Sequence, residues 1–275
     1  MTDVFSESLQ ALLCCSVEKK IEKIRQLRRQ VDKGDFPTYA VKTASKIIAP
    51  GRPVLPLHVH PTEVKRRRLG SVEGRVALIH AIAHIEFNAM NLALDAVYRF
   101  RDMPCEYYRD WMRVASEEAT HFELLSARLN ELSSGYGALP VHGGMWAMAV
   151  ETDYDVMVRM ALVPRVLEAR GLDVTPPMLD KLSAVNDAKT VAILVRILDE
   201  EVEHVKIGNR WFADACQQRG LSADETFRQL LHKHGKAALR GPFNKPARLK
   251  AGFSESELRE LDSIEKLFRE EAALN

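Results

Sequence analysis

Residues 116–122, SEEATHF, and residues 199–205, DEEVEHV, share one pattern, Glu-Glu-x-x-His. Each lies in a stretch whose apolar residues recur at helical steps of three and four. Around the first, Trp111, Val114, Ala115, Phe122, Leu125 and Leu129 form a stripe, and Glu118 and His121 fall inside it. Around the second the stripe is Leu194, Ile197, Leu198, Val205, Gly208 and Trp211, and it takes in Glu201 and His204. Glu200 and Glu203 fall instead with Arg196, Lys206 and Arg210 on a wet face, and Glu117 sits at the edge of its stripe. Each helix therefore turns one carboxylate and one imidazole inward, one turn apart.

Working outward, two further helices each supply an inward acid. Glu86 sits among Ile79, Ile82, Ala83, Ala89, Met90, Ala93 and Val97, and Glu168 is in register with Met157, Ala161, Pro164 and Leu172. Glu86 precedes Glu118 by nearly the interval that separates Glu168 from Glu201, so the chain reads as two related helix pairs, each giving Glu and then Glu-x-x-His. An ExxH alone is weak evidence; its repetition on apolar faces, with partner acids at matching offsets, carries the weight. An ionised group withdrawn from water costs several kcal/mol even after relaxation. Carboxylates gathered together also raise one another's pKa. Arg165 is the only basic residue near these stripes. Two divalent cations would balance the charge of the four acids. A set of four Glu and two His without thiolate suits iron or manganese better than a closed structural zinc site, and inward Glu with Glu-x-x-His is the pattern of di-iron and di-manganese carboxylate bundles.

At Glu86, Glu118-Ala-Thr-His121, Glu168 and Glu201-Val-Glu-His204 the sequence resembles the ferritin-like di-iron carboxylate superfamily, over roughly residues 72–215. The stretch EGRVALIHAIAHIEFNAMNLALDA and the later EEATHF look like a bacterial ferritin-like family of unknown function, and a more distant similarity is to tRNA-modifying hydroxylases. The resemblance implies Glu118 and Glu201 as bridging, catalytic carboxylates, Glu86 and Glu168 as terminal ones, and His121 and His204 as one nitrogen ligand per metal. It implies two Fe ions, or Mn, or a mixed pair, activating O2 to oxidise or hydroxylate an organic substrate, small or RNA-borne, with electrons from an unidentified donor. A ferroxidase or iron-binding protein without organic substrate is the alternative. Long terminal extensions depart from cage-forming ferritins, and Pro164, one turn before Glu168, is placed to kink its helix.

The remaining organisation follows from helix signals. One helix is expected over Ser6–Lys33 and one over Val72–Phe100 with Ser71 as N-cap. Another starts at Pro104, as the N1 residue. A third covers Tyr154–Arg170 and stops at Gly171. A fourth follows Pro176 and Pro177 to about Arg219 with a break near Asn186. Ser222 with Glu225 and Ser254 with Glu257 are capping-box starts, separated by an irregular basic stretch, 241–253. The prolines of 49–61 read as an extended connector. Residues 134–153 make a long connection, the mark of a bundle with one crossover. The expectation is an all-α, ferritin-like four-helix bundle over 71–219, an N-terminal helix and Pro-rich connector over 1–70, and a C-terminal helical extension over 220–275.

Composition narrows the class. Thirty-nine Lys and Arg against 38 Asp and Glu give a net charge of +1, without the basic excess of a general nucleic-acid binder. Four cysteines without a CxxC fit neither a disulfide framework nor a thiolate zinc site. No signal peptide or membrane span is expected, so the reading is cytoplasmic, with no membrane partner and with room for a homodimer. His80 and His84, spaced i, i+4 with Asn88, Asn91 and Asp95, read as hydrogen-bonded histidines supporting the site rather than a zinc pair. His58, His60, His232 and His234 read as surface residues, and Lys65–Arg68 as a solvated basic run with room for a phosphate-bearing substrate. Tyr107, Tyr108, Trp111, Tyr154 and Trp211 read first as packing.

Overall fold

Long amphipathic periods produce helices wherever the computed structural model is regular; it describes residues 3–34, 36, 43–64, 67–234 and 239–274. The class is all-α, and among the described residues the only β pairing is an isolated parallel bridge between His58 and Val141. The elements are α1 (Val4–Leu12), α2 (Val17–Asp32), α3 (Val72–Arg99), α4 (Cys105–Glu131), α5 (Gly144–Glu151) and α6 (Val156–Leu162). A π-helical segment, Val163–Glu168, follows without interruption. Then come α7 (Ala169–Ser183), α8 (Ala188–Gln218), α9 (Ala223–His234), α10 (Lys245–Lys250) and α11 (Glu255–Leu274). Two compact units divide the chain: residues 1–150 with 185–193, and residues 151–184 with 194–275.

In the first unit α3 and α4 form a helical hairpin. The Ser71 hydroxyl caps α3 by accepting from Gly74 N at 3.1 Å, and Phe100–Pro104 turns the chain into α4. Pro104 itself proves to be the N-cap, one position before the N1 role expected of it. The two helices face each other through Ile79, Ala83, Phe87, Met90 and Val97 on one side, and Trp111, Val114, Ala115, Phe122 and Leu125 on the other, all buried. By length and composition alone α3 is apolar enough to cross a membrane, but 72% of that window is buried inside the protein. Its apolarity serves a core.

The single N-terminal helix expected over Ser6–Lys33 is two. Ser16 ends the break by capping α2, its hydroxyl accepting from Lys19 N at 3.3 Å. One turn on, Lys20 is fully buried, and its Nζ donates to Ala11 O, Leu12 O and Asn91 Oδ1 at 3.0, 2.7 and 2.7 Å. A lysine inside a charged run thus adds a second donor to the last carbonyls of α1, beside Cys14 N on Ala11 O and Gly51 N on Leu12 O. The remaining charges of α2 lie on its outer face, while Ile21, Ile24, Leu27 and Val31 are buried and α2 packs against α4. The Pro-rich connector is extended as expected, and the long connection of 134–153 is partly helical, holding α5.

In the second unit Gly171 does not end its helix, and Pro176 and Pro177 lie within α7 rather than before the next one. Proline removes a backbone donor and frees the carbonyl four residues back. Here the Leu172 carbonyl is taken by Asn244 Nδ2 at 3.0 Å, so a side chain supplies the donor that Pro176 lacks. The break expected near Asn186 is present: Asn186 adopts φ +58°, and α8 starts two residues later. The stretch 241–253 is not wholly irregular, since α10 forms within it, capped by Asn244 Oδ1 accepting from Ala247 N at 3.3 Å. The Ser254–Glu257 capping box is complete, with Ser254 Oγ accepting from Glu257 N at 3.1 Å and Glu257 Oε2 accepting from Ser254 N at 2.8 Å.

Candidate metal centre

The hairpin of the first unit brings Glu86 of α3 against Glu118 and His121 of α4. His121 Nδ1 lies 3.3 Å from Glu86 Oε2 and 3.3 Å from Glu118 Oε2. One ligand atom from each of the three falls within 4.8 Å of the others. All three are buried, Glu118 and His121 completely.

The electrostatics show what such a trio favours. Burial first, and then the charge of Glu118 alongside, push the Glu86 carboxyl well above its ordinary range. Burial alone would lower His121, but its bonds to Glu118 and Glu86 outweigh it and raise the imidazole to about 11. The pull that keeps a proton on that nitrogen is a pull for positive charge. With two hard oxygens and one imidazole as donors, the set fits a first-row divalent metal. Glu117, at the edge of its stripe, is bonded by Arg113 at 2.9 Å, while Glu118 is fully buried.

The second unit holds the other three expected ligands. Glu168 closes the π-helical segment and is buried; His204 of α8 is fully buried, and its Nδ1 lies 3.5 Å from Glu201 Oε1. Glu200 and Glu203 are on the wet face as read from the sequence, paired with Arg196 at 3.0 Å and Lys206 at 3.2 Å. Gly208, one turn beyond His204, is where Pro164 docks. A Cβ added there would lie 2.3 Å from Pro164 Cβ and Cγ, so only glycine admits the proline. Arg165 is buried but is committed elsewhere, to Glu257, and Arg159 of α6, which the sequence reading left out, is buried too and donates to Thr152 Oγ1 at 2.7 Å.

His80 and His84 are both hydrogen-bonded. His84 Nδ1 is 2.8 Å from Tyr136 Oη, and its Nε2 is 3.1 Å from Asn88 Nδ2. His80 Nε2 accepts from Gly137 N at 3.0 Å and Leu139 N at 3.4 Å. Burial lowers both histidines to about 4, so each is neutral at physiological pH, and His84 Nε2 also faces the His142 carbonyl oxygen at 3.2 Å. Asp95 pairs with Arg99 at 2.6 Å. His58 is half-buried against His84, with ring centroids 5.5 Å apart, while His60 and His232 are exposed and His234 is half-buried. Lys65 and Arg66 lie outside the described residues; Arg67 and Arg68 are exposed.

Sequence reasoning passed over Tyr136. Its ring packs on Phe87 and Phe122, at centroid distances of 5.8 and 4.9 Å, next in sequence to Glu86 and His121. The available signal was an aromatic residue between Gly135 and Gly137, in a stretch otherwise read as connector. Of the aromatics expected to pack, Tyr107, Tyr108, Trp111 and Trp211 are core residues, and Tyr154 is exposed.

Residues 13–259 match the model of the family described as Protein of unknown function (DUF455). The chain belongs to that family. It is also similar to an uncharacterized protein of Haemophilus influenzae (strain ATCC 51907 / DSM 11121 / KW20 / Rd), 45% identical over 224 residues that cover 79% of this chain and 78% of the relative. No solved structure matches it. Family membership carries no activity with it, so any functional reading rests on the site: a buried Glu/His cluster that could hold a metal ion.

Proposed function

We propose that Glu86, Glu118, His121, Glu168, Glu201 and His204 are the ligands of one dinuclear metal centre of the ferritin-like kind, and that the protein is a di-iron oxidoreductase acting on an organic substrate with O2. The observation that carries this reading is the buried Glu86–Glu118–His121 trio, whose ligand atoms lie within 4.8 Å of one another. Its sequence pattern is repeated by Glu168, Glu201 and His204. Four carboxylates and two imidazoles match two divalent ions in charge and in donor type. Iron is favoured for the redox reading, with manganese as the alternative metal.

In this reading Glu86, Glu118, Glu168 and Glu201 would supply carboxylate oxygens to the metals, and His121 and His204 one nitrogen each. A bound metal pair would supply the oxidative chemistry. The chain's own part is to hold hard donors in place, keep bulk water out and limit where a proton can rest. Burial of the trio, with Phe87, Phe122 and Tyr136 packed beside it, provides a low-dielectric wall on the first unit. His84 and Asn88 fix the Tyr136 hydroxyl end of that wall. The substrate, the electron donor, a homodimeric assembly and a cytoplasmic site of action belong to the same proposal.

Elemental analysis of the full chain, purified without chelator, tests it. About two iron or manganese ions per chain are expected, and Glu118→Ala or Glu201→Ala should abolish loading. Full metal occupancy in both variants would sink the proposal. Oxygen uptake by the Fe(II)-loaded protein then separates the two chemistries: a growing mineral core marks the ferroxidase alternative, and a fixed two-iron stoichiometry marks the oxidoreductase.

A further inference from the structure

The π-helical segment that ends on Glu168 is held by a charged latch from the C-terminal part of the chain. Arg165 lies inside this segment and is 3% exposed. Its guanidinium sits among three rings, 3.9 Å from the centroid of Phe227, 4.5 Å from Phe212 and 5.0 Å from Phe253. Its Nη2 donates to Glu257 Oε1. Glu257 is fixed in turn, because its other oxygen closes the α11 capping box on Ser254 N. One carboxylate thus terminates a helix and grips an arginine.

A latch is needed because π-helical turns are rare and seldom outlast one turn. Relaxation of the segment to α geometry would remove one residue's worth of winding. That would rotate Glu168 by about 100° around the axis relative to α6, given 3.6 residues per turn. The guanidinium is a costly group to bury unless its charge is met. Among the described residues, Glu257 and the three ring faces meet it where the π segment places it. Pro164 adds a second constraint, docked on Gly208 where no Cβ fits.

We propose that Arg165 is a positioning residue, and that the Arg165–Glu257 pair within the Phe212, Phe227 and Phe253 box sets the orientation of Glu168 toward a metal. The inference rests on the ligand role assigned to Glu168 above. It also gives the C-terminal extension a function: to hold a ligand-bearing turn in an otherwise unfavoured conformation.

Two measurements on the full-length protein test it: Co(II) titration followed by visible absorption, and hydrogen exchange of the metal-free protein. Glu257→Gln keeps shape and a hydrogen bond but removes the charge; Phe253→Leu opens the box more gently and guards against a variant that fails to fold. In both, one of two Co(II) sites should weaken about tenfold or more, the usual effect of removing a ligand's support. Its absorption band should change while the other site keeps its affinity. Arg165→Lys should weaken the same site, because an ammonium lacks the planar fork and face. Amides of 163–168 should exchange about tenfold faster, with those of α3 unchanged. Equal weakening of both cobalt sites, or wild-type affinity at both, would overturn the latch. If the wild-type protein takes up no cobalt, the dinuclear reading falls instead, and unchanged exchange at 163–168 would overturn the latch separately.

Discussion

Lys20 shows how much a single buried charge organises in this protein. Its Nζ meets three acceptors, two of them the last carbonyls of α1 and the third Asn91 on α3. Burial lowers its pKa to about 7 from the ordinary 10.5. The sign of the pH dependence follows. Between those two values the unfolded chain holds a proton that the folded chain has given up, so the stability contributed at this site rises with pH across the window. Lys20→Met removes the donor to Asn91 Oδ1, while Ala11 O and Leu12 O keep Cys14 N and Gly51 N, at about 1–3 kcal/mol for a buried acceptor that loses its partner. Urea unfolding should show a lower midpoint for the variant at pH 7, and a gap to wild type that widens toward pH 9 and 10. A gap that narrows as pH rises would contradict the shift. Neither the burial nor the role was legible beforehand, because Lys20 sits in a run of charges that reads as a solvated face. Only the fold-back of α2 on α1 turns it inward.

At the scale of elements, helices whose termini carry chemical signals were readable, and helices whose continuity depends on distant partners were not. Ser71, Ser222 and Ser254 announced the starts of α3, α9 and α11, and Asn186 marked the break before α8. Gly171, Pro176 and Pro177 pointed to a helix end that does not occur, since Asn244 from a remote segment serves the freed Leu172 carbonyl and Arg248 holds Asp173 at 2.8 Å. No local reading finds a donor contributed from so far along the chain. The same limit hid the π segment: Pro164 suggested a kink, but the extra winding depends on Gly208 and on the Arg165 box. Gly208→Ala tests that dependence. The new methyl meets Pro164 carbons at 2.3 Å, and such overpacking costs about 1–3 kcal/mol. A lower melting temperature and weaker metal binding should follow together. An alanine variant with wild-type stability and affinity would show that the proline can move away freely.

For the molecule as a whole, the candidate ligands were the most legible feature, because a carboxylate on an apolar stripe conflicts with burial and only a partner resolves the conflict. Glu86, Glu118 and His121 do come together within the first unit, and Glu168, Glu201 and His204 are inward or half-inward in the second. The division of the chain between 150 and 194 was not legible, because α8 runs through the boundary with an unbroken period. If all six residues hold metal as proposed, metal stabilises the elements that carry each of them, whereas a lone ion on the trio stabilises α3 and α4 alone. Binding at 100 times its dissociation constant adds about 2.7 kcal/mol to the folded state, which for a chain of this size is a rise of about 5–10 °C in melting temperature. With Mn(II), a redox-quiet probe, hydrogen exchange should slow in α3 and α4 and equally in the 163–168 segment and the latter part of α8. Glu118→Ala should cancel the shift in melting temperature. Protection confined to α3 and α4 would mean that the first trio binds metal by itself, and the six-ligand centre would then have to be abandoned.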